Sequence, residues 1–366
     1  MSLTYPETME KILLGNLIDE ISLNNESNTI KSPISFSKFK LLFENSKTNE
    51  TSNLNMNNNN ISSINIYSKK EIFSYLSNQK SGIKFQSKIR EMSDFEIEKL
   101  IEELKNSFSE CMMDRNGNYF CNDLFKICNS KERILILNEI KDKFIELSLH
   151  NYATHPIQKL IECSKSLEEM NLIVSNFNNR NDLLQLALNS NGSFVLQKIV
   201  MFIPEEIRSN LNNLIIDDIC ILAFDMYGVC ILKKFIYSIK SKFYLQRVFK
   251  NICENFLKIS IDQYGNYLIQ YILEIYWNLN DLFILKNSIE KNFHYLASDS
   301  FASHICETYI KLMNIKEKIN FFNLLMKKGI YYQLIQDKYG IFVINKLMNS
   351  ILMNSNSQIK NCKKTK

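Results

Sequence analysis

Asn266, Tyr267 and Gln270 stand in the stretch DQYGNYLIQYILE, Asp262 to Glu274, where an apolar helix is expected to open after Gly265. Each carboxamide offers two N–H donors and a carbonyl acceptor, and the phenol offers a flat ring. None of the three suggests a nucleophile or a general base, so their chemistry is recognition. They suit a planar ligand with a hydrogen-bonding edge and a stacking face. On a helix turning about 100° per residue, Asn266 at zero places Gln270 at about 40° and Tyr267 at about 100°. Leu268, Ile269, Ile272 and Leu273 fall between about 200° and 340°. One face packs, and the other carries two amides one turn apart with a ring beside them.

The arrangement recurs along the chain. Upstream are DMYGVCILKKFI from Asp225, NSNGSFVLQKIV from Asn189, HNYATHPIQKLIE from His150, DRNGNYFCNDLFK from Asp114 and a degenerate copy, NQKSGIKFQSKI, from Asn78. Downstream are DSFASHICETYI from Asp299 and DKYGIFVINKLM from Asp337. The equivalents of Gln270 are Gln86, Asn122, Gln158, Gln197, Lys233, Glu307 and Asn345, and successive anchors are 36, 36, 39, 36, 37, 37 and 38 residues apart. A period of this length signals a solenoid, whose units bury their apolar faces only against their neighbours.

The elements that position these residues are helices. Between motifs run amphipathic segments such as LFILKNSIEKNFHYLA, Leu282 to Ala297, with apolar residues recurring at three and four. No period-2 run of comparable length is present, and 8 glycines and 4 prolines are few for a many-stranded fold. Each unit has room for two main helices and a short third. Stacking such units lines up their corresponding faces as a row of polar clamps with rings between them. The bases of an extended single strand suit that row, because each has an edge that hydrogen-bonds and a face that stacks. The aspartates that begin motifs, Asp225, Asp262, Asp299 and Asp337, read as caps.

The motifs resemble the RNA-binding repeats of the Pumilio family (PUF), in register over about residues 68–353. The resemblance implies an all-α, right-handed α-solenoid: a crescent of eight three-helix repeats that binds single-stranded RNA on its concave face, one base per repeat. It also implies that the first and fifth residues after the glycine-like position meet the base edge and that the second stacks. The base-edge pairs are then Gly82 and Gln86, Asn118 and Asn122, Thr154 and Gln158, Ser193 and Gln197, Val229 and Lys233, Asn266 and Gln270, Ser303 and Glu307, and Ile341 and Asn345. The stacking residues are Ile83, Tyr119, His155, Phe194, Cys230, Tyr267, His304 and Phe342.

By the same resemblance the C-terminal repeat meets the 5′ base. Asn266 and Gln270 read uracil, and Ser303 and Glu307 read guanine, whose N1–H and N2–H₂ donors suit a carboxylate. Ser193/Gln197, Thr154/Gln158 and Gly82/Gln86 suit adenine, and Asn118/Asn122 suits uracil with a shorter amide. Val229/Lys233 and Ile341/Asn345 depart from the pattern. The expected site is 5′-NGUNAAUA-3′ in the 3′ untranslated regions of mRNA, bound by a monomeric adaptor with repressor or deadenylase proteins on its convex face. Lys198, Lys233, Lys234 and Lys346 are candidate phosphate contacts. Two other readings stay open: a nucleolar relative acting in ribosome assembly, and a protein scaffold of armadillo or HEAT type.

Composition bounds the rest. Apolar residues make up 45%, charged residues 23%, and the net charge is +5, compatible with a nucleic-acid partner without demanding one. Nine cysteines in no CxxC pair, most of them in apolar runs, read as reduced core residues of an intracellular protein. His150, His155, His294 and His304 have no ligand-type spacing to them, so no metal is expected, and no cofactor or catalytic motif stands out. The N-terminus lacks a signal-peptide pattern, and no stretch of about 18 apolar residues exists. A cytoplasmic location follows as the expectation, with the nucleolus as the alternative. Residues 1–67 form an N-terminal region whose Asn-rich stretch, 45–64, reads as a disordered linker, and 354–366 form a basic tail.

Overall fold

The computed structural model describes the backbone of residues 67–364 and the side chains of 67–353. The N-terminal region and its Asn-rich stretch lie outside the described residues. Each motif forms a helix: α1 (Gln79–Ile89), α2 (Gly117–Ile127), α3 (Thr154–Cys163), α4 (Ser190–Phe202), α5 (Met226–Ser238), α6 (Gly265–Tyr276), α7 (Ser303–Leu312) and α8 (Gly340–Lys364). A short helix precedes each one, such as Phe256–Ser260 before α6, and a flanking helix follows, such as Ile315–Lys327 after α7. Among the described residues no flanking helix follows α8. Instead its backbone runs on through 354–364, the stretch read as a basic tail, with no glycine or proline after Gly340 to stop it.

The motif loops are built by their first residue. Asp262 Oδ1 accepts from the N–H groups of Tyr264 and Gly265, both at 2.8 Å. Asp225, Asp299 and Asp337 do the same for the backbone N–H groups two and three residues on, so all four act as caps. Asn189 and Asp114 repeat the pattern, and His150 accepts through Nδ1 from Tyr152 and Ala153. Flanking helices open on capping boxes, as at Ser93 with Glu96, Asn129 with Glu132, Ser166 with Glu169 and Asn314 with Glu317.

The glycine of the motif sets how closely the short helix and the motif helix approach. A Cβ at Gly265 would lie 2.4 Å from the carbonyl oxygen of Ile259, and one at Gly228 would lie 2.3 Å from that of Leu222. Gly265→Ala is therefore expected to force the two helices apart and destabilise the fold by ~1–3 kcal/mol, read as a lower denaturant midpoint. An unchanged midpoint would show that the junction relaxes at no cost.

Successive motif helices α1 to α8 pack in sequence as one continuous row. Flanking helices form a second row, where Ser130–Ile140 packs on Leu167–Val174, and Ser209–Asp217 on Lys242–Glu254. A single apolar cluster runs through the described repeats and includes Leu268, Ile269, Ile272 and Leu273 of α6, as the helical projection requires. This is the α-solenoid of the sequence reading. Five of the eight described cysteines are buried, and all eight are free thiols. Burial pushes the Cys111 thiol up to about 12, and Cys121, Cys128 and Cys306 are also raised by burial, so these groups serve as core packing.

Candidate functional site

The site begins with the backbone of the α6 loop. Asn266 is only 1% exposed, and its Nδ2 donates to the carbonyl oxygens of Asp262 at 2.9 Å and Gln263 at 3.1 Å. That fixes the amide, because its oxygen could not sit against two carbonyls. Asn266 Oδ1 then points the other way and accepts from Gln270 Nε2 at 2.9 Å. Gln270 Oε1 in turn accepts from the Thr308 hydroxyl at 3.1 Å. With these bonds made, the pair has one lone pair on each of Asn266 Oδ1 and Gln270 Oε1 and one N–H on Gln270 Nε2 left to offer. An acceptor beside a donor matches a uracil edge, where N3–H adjoins a carbonyl. Cytosine, whose N3 carries no proton, could meet that acceptor only through its N4–H₂.

The other repeats keep this plan to different degrees. First-position residues lie at the helix base: Gly82, Asn118, Thr154, Ser193, Val229 and Ser303 are buried like Asn266, whereas Ile341 is exposed. Asn118 Nδ2 also donates to two loop carbonyls, those of Asp114 and Arg115, but no bond links Asn122 to it, as the shorter side chain predicts. Gln158 Nε2 donates to Thr154 Oγ1 at 3.2 Å. Ser193 and Ser303 each turn their hydroxyl toward the carbonyl three residues back.

Second-position residues face outward. Tyr119 is 61% exposed and Phe342 65%, Ile83, His155, Phe194 and His304 are also exposed, and Tyr267 is half-buried. Cys230 breaks the series at 7% exposure, so α5 offers a buried thiol where its counterparts offer an exposed side chain. Fifth-position Gln86, Asn122, Gln158, Lys233, Gln270 and Glu307 are half-buried, Gln197 is buried and Asn345 is exposed. An open groove of about 350 Å³ brings together Gln86, Tyr119, Asn122, His155 and Gln158 from three successive repeats.

Contacts across repeat boundaries were not legible in the motifs. The side chain just after the fifth position of one repeat touches the fifth-position side chain of the repeat before it at three successive boundaries. Lys233 Nζ lies 5.1 Å from the ring centre of Tyr271. The Thr308 hydroxyl meets Gln270, and Lys346 Nζ meets Glu307 Oε2 at 2.7 Å. Toward the N-terminus the same position reaches one turn further along: Asp123 pairs with Arg90 at 2.8 Å, and Lys198 with Glu162 at 2.5 Å. Lys346 and Lys198, expected at phosphates, thus hold carboxylates here. Burial depresses the Lys233 ammonium, against the opposing pull of Cys230 and Glu274. Burial works to raise the Glu162 carboxyl, but Lys159 and Lys198 hold it below the usual carboxylate range.

Among the described residues no helix is long and apolar enough to cross a membrane, and no group of three or more His, Cys, Asp or Glu could hold a metal ion.

Two stacked rows of helices with a polar register repeated along one of them define the class: an α-helical repeat solenoid. The sequence model of the Pumilio-family RNA binding repeat matches residues 107–141, 143–176, 182–211, 255–278 and 331–352. Pumilio homolog 12 of Arabidopsis thaliana is 30% identical over 275 residues, which are 74% of this chain and 45% of that protein. Pumilio homolog 11 of the same plant is 29% identical over 254 residues, covering 67% and 43%. The chain thus spans about half the length of the curated relatives it matches. A solved structure described as the Puf4 RNA binding domain bound to HO endonuclease RNA 3′ UTR recognition sequence superposes with a TM-score of 0.71 at 24% identity, covering 78% of this chain and 89% of that one, and shows the shared fold. This chain is a Pumilio-repeat protein.

Proposed function

We propose that the chain binds single-stranded RNA sequence-specifically along the row α1 to α8, one base per repeat, with the C-terminal repeat on the 5′ base. The observation that carries this is the amide network of α6, in which two loop carbonyls fix Asn266 and Asn266 fixes Gln270. A preset acceptor–donor edge beside an outward ring is arranged for a base, and stacking there contributes ~1–3 kcal/mol per base. The proposed site is 5′-NGUNAAUA-3′. Its G comes from Ser303 and Glu307, its first U from Asn266 and Gln270, its adenines from Ser193/Gln197, Thr154/Gln158 and Gly82/Gln86, and its second U from Asn118/Asn122. Val229 and Ile341 offer a base edge no polar group, which leaves two positions open.

The biological reading is post-transcriptional regulation of mRNA in the cytoplasm. The similar structure solved with a 3′ UTR recognition sequence supports the mRNA part of that reading. Repressor or deadenylase proteins would then meet surfaces away from the motif row. Selection from a randomised RNA pool tests the binding claim, with an enriched G-U step as the expected result. A pool that emerges with no such step would refute it.

A further inference from the structure

We infer that the residue immediately after the fifth position is a positioning residue for the base reader of the preceding repeat, so that the readers on α5, α6 and α7 are completed across a repeat boundary. The inference rests on the base assignments proposed above and deepens them. Its warrant is the match of chemistry at three consecutive boundaries. A cationic Lys233 meets the ring of Tyr271, the carbonyl oxygen of Gln270 meets the hydroxyl of Thr308, and the carboxylate of Glu307 meets the ammonium of Lys346. Each following residue supplies what its neighbour's head group needs: a π face for a cation, a donor for an amide oxygen, a cation for a carboxylate.

Fifth-position side chains are long and lose rotamer freedom when they hold a base. A partner already in place takes that loss before RNA arrives and leaves the reading atoms aimed. At Gln270 the Thr308 hydroxyl also sets polarity: it holds the oxygen toward α7, so the free N–H of Nε2 is the part left toward the base. At Glu307 the ammonium occupies Oε2 and leaves Oε1 free to accept from a guanine edge. The same lysine read as a phosphate contact would carry no base information. The two roles are therefore separable by experiment.

The test uses the full chain and short RNAs that vary only at the second base (G or A) or the third (U or C), titrated at two salt concentrations. Lys346→Met keeps the stem and removes the charge. It should cut the G-over-A preference by about tenfold while leaving affinity for the A-containing RNA, the salt slope and the U-over-C preference unchanged. Lys346→Arg should restore the G preference. Thr308→Val, nearly equal in volume, should lower the U-over-C preference by about fivefold and leave the G preference intact. Equal loss on both second-base RNAs, with the salt slope falling by about one, would make Lys346 a phosphate contact and overturn the inference. Unchanged base preferences in both variants would overturn it too. A wild-type chain indifferent to both bases would instead sink the base assignments themselves.

Discussion

Ser303→Asn combined with Glu307→Gln is expected to turn the second base of the preferred RNA from G to U. The helix that reads the third base supplies the template. In α6 the amide nitrogen of Asn266 is held by the carbonyl oxygens four and three residues back, at Asp262 and Gln263. In α7 the carbonyls four and three residues before position 303 belong to Asp299 and Ser300, and the Ser303 hydroxyl already leans toward Ser300 at 3.5 Å. An asparagine side chain there finds the same two acceptors and is fixed the same way. A carboxamide at 307 then donates to it, and the pair presents an acceptor beside a donor in place of a carboxylate. Guanine loses the group that accepted its N1–H and N2–H₂, and uracil gains a complementary edge. A well-matched pair of contacts discriminates by ~1–3 kcal/mol, so the preference should swing by roughly tenfold to a hundredfold. Binding measured on RNAs differing only at that base checks it, and a persistent G preference would refute the assignment.

The largest effect on stability should come from Glu169→Ala. Glu169 is fully buried in the flanking row and holds two repeats together. Its Oε1 accepts from Arg133 Nε of the preceding flanking helix at 2.6 Å, and its Oε2 accepts from the N–H groups of Ser166 and Lys165. Arg133, itself buried, also donates to the carbonyl of Cys128. Removing the carboxylate strands a guanidinium inside the fold, which costs ~3–5 kcal/mol for a buried pair. Because a solenoid is stabilised by nearest-neighbour interfaces, the loss should also weaken coupling between the two halves, seen as a shallower or two-step denaturant transition. Replacing both partners together, Arg133→Met with Glu169→Leu, should recover most of the stability, since no charge is then left unpaired. A single-variant midpoint within about 1 kcal/mol of wild type would contradict this account.

The same pair gives a pH dependence with a definite sign. Burial alone would raise the Glu169 carboxyl, but the Ser166 N–H and hydroxyl, Arg133 and the Lys165 N–H hold it below the usual carboxylate range. A folded-state pKa below the unfolded one stabilises the fold fully above the unfolded value and is lost as pH falls through the folded one. The wild type should therefore lose this contribution on acidification below about pH 4.5, and the Glu169→Ala variant should lack that component.

Much of this was written in the sequence because it is local or periodic. The 36–39 residue spacing gave the solenoid. The helical projection of α6 separated its packing residues from its polar ones as the fold does, and the aspartates that begin motifs were readable as caps because capping is settled within four residues. What escaped was whatever depends on a neighbour about 38 positions away. Thr308 carries no mark of its own, and its meaning comes from Gln270 facing it across the boundary. Lys346 read only as a candidate phosphate contact, because a lysine's sequence context does not reveal the carboxylate of Glu307. Cys230 shared the register of exposed rings, yet a small thiol on an apolar helix sinks into the core where a tyrosine would stand clear of it. The hint available in hindsight was complementarity: a residue after the fifth position whose chemistry answers the fifth residue of the repeat before.

The anchored amide of Asn266 has a consequence for chemically modified RNA. Both of its N–H groups are spent on the loop, so the side chain meets the base as a fixed carbonyl with no freedom to flip. On the proposed reading it senses the N3 proton of uracil and nothing at C5. Isomerisation to pseudouridine keeps that proton between two carbonyls and passes unnoticed, whereas a methyl group on N3 removes the proton and blocks the approach. Of those two marks on the transcript, α6 would register only the methyl.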